Sequence, residues 1–154
     1  MSSGREYPER PIPGVGAVVL REVGGRTEVL LVRRRTEPMA GTWSLPGGAI
    51  ELGETSREAC AREVLEETGV VIEPLVEVEC FDIILRDAED RVQYHYLIVD
   101  MLCQVTGGEV CAGEDASEAV WADVQSVLQE GLFALTPRAC TVIRKALLMN
   151  EDLE

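Results

Sequence analysis

At 154 residues and 46% hydrophobic content, the chain suits one globular domain, 1–154, long enough to bury about two-thirds of its unfolded surface. A formal net charge of −14 argues against sequence-independent nucleic-acid binding, which needs a cationic footprint. No apolar run reaches the length of a membrane-spanning helix. The start, Met1-Ser2-Ser3-Gly4-Arg5-Glu6, lacks the apolar region of a secretory signal, so a cytoplasmic protein is expected. The five cysteines, Cys60, Cys80, Cys103, Cys111 and Cys140, are odd in number and have no C-x-x-C spacing, which reads as buried free thiols.

Residues 1–9 are polar and expected to be loose. Gly14 to Leu20 reads as a buried strand. Gly24-Gly25 is a turn signal, and Thr27 to Val32 returns as a second strand, so a hairpin is expected. Arg33-Arg34-Arg35 follows at the strand end, where it can either meet substrate phosphates or sit in solvent. Thr36 to Thr42, with Pro38 and Gly41, is a loop.

The next stretch, Gly48 to Val70, holds six acidic residues, and Glu63, Glu66 and Glu67 fall within five positions. At about 100° per residue these three share one helix face. Like charges at i,i+3 and i,i+4 each cost about 0.2–0.5 kcal/mol. They also stand in the last turn, where the helix dipole disfavours anions. A bound divalent cation is the simplest compensation. Thr55 and Glu58 form a capping box, Gly69 ends the helix, and Cys60, Ala61, Val64, Leu65 and Thr68 make an apolar stripe about 150° from the glutamates. Leu45-Pro46-Gly47-Gly48 ahead of the helix is a turn that brings bare backbone to whatever the glutamates hold.

Beyond the helix, Val70 to Leu85 is strand-rich with a break near Glu73-Pro74, and Arg86 to Asp90 is a turn. Gln93 to Val105 is a long strand in which Tyr94, Tyr96 and Ile98 alternate with the lone histidine His95, Leu97 and Val99. Val110 to Ser117 is an acidic loop, Ala119 to Ala122 a short strand, and Val124 to Gln129 a brief helix. Thr136-Pro137 opens an amphipathic helix running through Met149. One central helix with strands on both sides, and a second at the end, predict a mixed α+β sheet between helical layers.

Gly48, five residues, Glu54, seven residues, then Arg62-Glu63-Val64-x-Glu66-Glu67-x-Gly69-Val70 meets every specified position of the Nudix box. With the lead-in Trp43-x-Leu45-Pro46-Gly47-Gly48, the chain resembles the Nudix hydrolases, and within them the ADP-ribose pyrophosphatase-like branch. The resemblance implies an α/β/α sandwich and Mg²⁺, with Mn²⁺ as substitute, and hydrolysis of a diphosphate linkage, X-P-P-Y to X-P plus P-Y. It implies Glu63 and Glu67 as main metal ligands, Glu66 as ligand to a further ion and the Gly47 carbonyl as a backbone ligand. Arg62 is implied to orient a glutamate and pair with Glu54. The general base is left between Glu63 and an acid of the later loop, Glu114, Asp115 or Glu118. Arg33, Arg35, Tyr94, Tyr96 and the Phe81–Asp90 region are candidates for substrate binding. ADP-ribose or a similar nucleotide sugar is the first substrate expected, and an 8-oxo-dGTP-type triphosphate the second. A non-catalytic nucleotide sensor is the rival class, and the family also makes a homodimer an expectation.

Overall fold

The computed structural model describes residues 5–37, 39–113, 116–129, 131 and 133–153, with only the backbone at 116 and 117. Seven strands form one mixed sheet: β1 (Ile12–Val23), β2 (Arg26–Arg34), β3 (Trp43–Ser44), β4 (Gly47–Ala49), β5 (Val70–Arg86), β6 (Val92–Gly108) and β7 (Ala116–Asp123). Helix α1 (Ser56–Thr68) packs on one face, and α2 (Val124–Gln129) and α3 (Pro137–Leu153) pack on the other. The mixed α+β sandwich expected from the sequence is the fold observed.

Alternation along β1 explains the two cores. Val15, Ala17 and Val19 join Leu30, Met101 and Cys103 beneath Ala59, Cys60 and Val64 of α1. Val18 and Leu20 join Val29, Leu31 and Leu102 beneath Val142, Ile143 and Ala146 of α3. Each fully buried Leu or Val contributes about 1.5–3 kcal/mol. The Gly24-Gly25 turn joins β1 to β2 with φ of 56° and 78°, values glycine adopts freely.

β1 changes partner along its length, and that fork makes the site. Leu20 to Val23 pair with β2, whereas Gly14, Val15 and Gly16 pair with Ala49, Gly48 and Gly47 of β4. On its other edge β1 runs parallel to β6 from Ile12↔Tyr96 to Leu20↔Gln104. The sheet is therefore split between β2 and β4 beside Gly14 and Gly16.

Three expectations are corrected. β5 is not broken at Glu73-Pro74 but runs continuously, with register shifts at Val71/Ile72, Pro74/Val76 and Glu77/Glu79. β5 is the last strand of the sheet path, so the N–H that Pro74 lacks would have met no further strand. The N-terminal segment is tied down at Glu6 and Tyr7: Tyr7 N–H donates to Gln93 O at 2.7 Å, Tyr7 Oη to Asp87, and Tyr94 Oη to Glu6. Of the five free cysteines only Cys60 and Cys103 are buried, while Cys80 and Cys111 are exposed. The Cys60 and Cys103 sulfurs lie 3.7 Å apart, and the thiol hydrogen bond with burial pushes the Cys103 thiol far up.

Candidate active site

Helix α1 begins as the capping box predicts. Glu58 N–H donates to Thr55 Oγ1 at 3.1 Å, and Thr55 N–H donates back to the Glu58 carboxylate. It ends at Gly69 with φ 76°, whose N–H caps Leu65 O. The buried face is Ala59, Cys60, Val64, Glu67 and Thr68. Leu65, expected in the apolar stripe, is half exposed. The helix is thus rotated by roughly 65° from the apolar-stripe expectation, on the 100° rule. The rotation carries Glu67 into the packed face, and Gly47 is what meets it there.

Gly47 N–H donates to Glu67 Oε1 at 2.9 Å, so β4 and the C-terminal end of α1 are joined through this carboxylate. Glu67 is only 8% exposed, whereas the Glu66 side chain is 57% exposed. Glu63 packs against bare backbone: a Cβ on Gly48 would stand 2.5 Å from its carboxyl carbon. Burial pushes the Glu63 carboxyl above its ordinary value, and the Arg62 hydrogen bond pulls the other way.

Arg62 is the hub. Its Nε and Nη2 grip both oxygens of Glu54 at 2.7 and 2.9 Å, Nη1 donates to Glu63 at 3.0 Å and Glu66 at 3.2 Å, and Nη2 also reaches Ala49 O. This two-pronged grip, with the Glu51 N–H, holds Glu54 down to about 2. A carboxyl with lowered pKa gives stability that is complete above its ordinary value of 4.5 and is lost as pH falls through about 2. Glu54→Gln is therefore expected to flatten the acid limb of stability. Urea unfolding at steps from pH 5 to pH 2 checks this, and parallel curves for variant and wild type would refute it.

A cavity of about 350 Å³ lies over the fork in the sheet. Glu63, Glu67, Gly47 and Gly48 form one end, and Gly14, Gly16, Tyr96, Ile98, Ile83 and Leu85 line its body. Arg34, Thr36, Glu37 and Met39 line it from the loop after β2, and Thr136 and Arg138 from the start of α3. Among the described residues no three His, Cys, Asp or Glu side chains form a closed metal cage. The donors fit a hard divalent cation even so. Mg²⁺ keeps several waters and is held by one or two carboxylates plus substrate phosphates, which is what Glu63 and Glu67 at an open cavity end offer.

Glu63, Glu67, Gly47 and Gly48 and the Phe81–Asp90 region, through Ile83 and Leu85, come together at this cavity, while Glu66 and Arg62 do not line it and several other candidates do not either. Arg33 pairs with Glu118 at 3.0 Å, both exposed, and neither lines the cavity. Strand alternation turns Val32 and Arg34 to it instead. Arg35 lies past the end of β2 and does not line it either. Tyr94 is buried with its hydroxyl on Glu6, and Tyr96, stacked on it at 6.4 Å between ring centroids, is the tyrosine facing the cavity. His95 does not line it. Glu114 and Asp115 lie outside the described residues. Of the Arg33-Arg34-Arg35 run, Arg34 is therefore the member at the cavity, and the sequence reading missed Asp100, Arg138, Gly14 and Gly16. Asp100 had a signal, a lone charge inside the apolar run Leu97 to Leu102 of a strand.

A mixed sheet with a glutamate-bearing helix locked to a two-glycine strand is the layout of a known domain class. Residues 10–141 match the NUDIX domain, and the chain belongs to that family. It is similar to the ADP-ribose pyrophosphatase of Methanocaldococcus jannaschii, 35% identical over 100 residues, which are 65% of this chain and 57% of that protein. The chain thus spans little more than half the length of that relative. Its fold is similar to the MutT NUDIX hydrolase from Burkholderia pseudomallei, with TM-score 0.72 and 26% identity over 89% of this chain and 98% of that one. It is also similar to the NUDIX domain of Shewanella oneidensis NrtR in complex with ADP ribose, with TM-score 0.68 and 26% identity over 96% and 91% of the two chains.

Proposed function

We propose that the chain is a Mg²⁺-dependent pyrophosphohydrolase that cleaves the diphosphate of ADP-ribose or a related nucleoside diphosphate derivative. The observation that carries this is the cavity itself, which joins two held carboxylates at one end to an apolar floor at the other. A polar, charged diphosphate belongs at the first and a flat base at the second. The names of the Methanocaldococcus relative and of the Shewanella complex point to the same substrate.

Glu63 and Glu67 would hold the metal, with the Gly47 carbonyl beside them and Glu66 supporting a further ion. A divalent cation there supplies charge neutralisation on the phosphoryl oxygens and lowers the pKa of a bound water. The protein's own part is positional. Gly47 N–H fixes Glu67, and Arg62 fixes Glu63 while Glu54 fixes Arg62. Gly48, without a side chain, lets Glu63 stand against the strand. Of the candidates for general base, Glu63 lines the cavity, whereas Glu118 is engaged with Arg33.

The test is product analysis with Mg²⁺ and ADP-ribose, NADH, CDP-alcohols and canonical and 8-oxo nucleoside triphosphates. Release of AMP and ribose 5-phosphate from ADP-ribose in preference to all others is the expected result. Preference for an 8-oxo triphosphate would replace the substrate, and tight nucleotide binding without turnover would replace the enzyme with a sensor.

A further inference from the structure

Asp100 is fully buried in β6, and an unpaired carboxylate there would be costly to bury. Its Oδ2 accepts from Arg138 Nη1 at 2.9 Å, and Oδ1 has no hydrogen-bond partner among the described residues. Burial pushes this carboxyl up to about 6 against the opposing pull of Arg138. Room for it exists only because position 16 is glycine, where a Cβ would fall 2.1 Å from Oδ1. Leu102, two residues on, fills the same face with an apolar side chain, so the fold alone gives no reason for a charge here. A buried ion pair is weak evidence for stability. Its effect on geometry is plainer.

Arg138 is held twice. Asp100 fixes one nitrogen, and the Phe81 ring lies 3.7 Å from the guanidinium carbon, which sets the plane of the group. The side chain remains 33% exposed and lines the cavity, and neither Nε nor Nη2 has a hydrogen-bond partner among the described residues. The result is a rigid, partly spent donor group at the wall of the cavity.

We propose that Arg138, positioned by Asp100 and Phe81, is the specificity-determining residue that binds the acceptor edge of the substrate's nucleobase. This rests on reading the cavity as a nucleotide site. Two observations favour a base over a phosphate. Asp100 already balances the charge of Arg138, so an incoming phosphate would approach a neutral pair with a carboxylate behind it. Asp100 is also in register with Gly16, and Gly16 with Gly47, whose N–H holds Glu67. Neighbouring strands are about 4.8 Å apart, so the Asp100 backbone stands roughly 10 Å from the glycine that meets the metal-binding carboxylate. That separation suits the length of a nucleoside rather than one phosphate. Between the two ends the floor is Ile83, Leu85 and Ile98, against which a flat ring can lie.

AMP and ribose 5-phosphate, the two halves of ADP-ribose, separate base from phosphate. Calorimetric titration with Mg²⁺ on wild type and Arg138→Lys reads each Kd. Lysine keeps the charge and loses the planar fork. AMP binding is expected to weaken about 10- to 100-fold, the size of a hydrogen bond to a charged group, with ribose 5-phosphate within about 2-fold of wild type. Equal weakening of both would make Arg138 a phosphate ligand and overturn the proposal. So would no change in either, or a wild type that binds AMP no better than ribose 5-phosphate. The Asp100→Asn/Arg138→Met double variant, which leaves no unpaired charge, guards against misfolding and should show the same selective loss. Binding is measured without turnover, so absence of ADP-ribose hydrolysis by wild type would defeat the proposed activity and leave this comparison decisive.

Discussion

Glu67→Gln is expected to lose at least about 10²-fold in Mg²⁺-dependent turnover while the protein stays folded. Removing even an outer partner of a metal ligand costs about 10- to 100-fold, and a ligand itself should cost no less. The amide keeps the shape of the side chain and one oxygen, so the 2.9 Å bond from Gly47 N–H can survive. What disappears is the negative charge at the cavity end. Glu67 lies in the buried face of α1, 8% exposed, so the variant also relieves a charge from a packed position. Circular dichroism and thermal unfolding should therefore match wild type while phosphate-bond cleavage falls. Full turnover in this variant would remove Glu67 from the site. A loss of turnover with an equally large loss of Tm would mean that its bond to β4 matters more than its charge.

How far the sequence spoke for the site depends on the distance over which its residues interact. The capping box and the Gly69 cap lie within one local segment and follow from spacing, whereas the Arg62–Glu54 pair, eight positions apart, came only with the resemblance to the Nudix box. The orientation of α1 was not placed correctly. Periodicity suggested that Leu65 should be buried and that the glutamates should face a cleft, and Glu63 and Glu67 do line one. But Glu67, bonded to Gly47 from 20 positions away, is also packed in while Leu65 is turned out. Arg33 failed as a cavity residue because it lies on the face of β2 opposite Val32 and Arg34, and Arg35 because it falls past the end of the strand, neither of which the sequence displays. Arg138 is the extreme case. It joins Asp100 from 38 positions away and Phe81 across the sheet, and nothing near it in the chain marks it out. Asp100 did stand out as a charge among apolar neighbours, and a buried charge within a strand is a reason to look for its partner.

Gly47→Ala and Gly48→Ala are neighbouring one-methyl changes with opposite expected consequences. At Gly47 the new Cβ would fall 2.0 Å from Val15 O and 2.9 Å from Gly16 Cα, both backbone atoms of β1. Backbone cannot swing aside, so β4 must separate from β1, with loss of the Gly16–Gly47 pairing and strain on the Ala17 N–H bond to Pro46 O. Overpacking of this kind costs about 3 kcal/mol or more, which for a chain of this size lowers Tm by about 10 °C. At Gly48 the three atoms nearest the Cβ all belong to the Glu63 carboxylate, at 2.5 to 2.6 Å, and the far end of a side chain can move away. Tm is expected to fall clearly less than in Gly47→Ala, since the part-buried Glu63 carboxylate can turn away without moving backbone, at the cost of its bond from Arg62. Activity is another matter: Glu63 would leave the position that Arg62 and the bare strand define, at the same cost of about 10²-fold expected for losing a ligand. Scanning calorimetry beside turnover of ADP-ribose decides both. A Gly48→Ala protein with wild-type turnover would show that the place of the Glu63 carboxylate is not critical, and an unchanged Tm in Gly47→Ala would show that β1 and β4 are not so tightly joined.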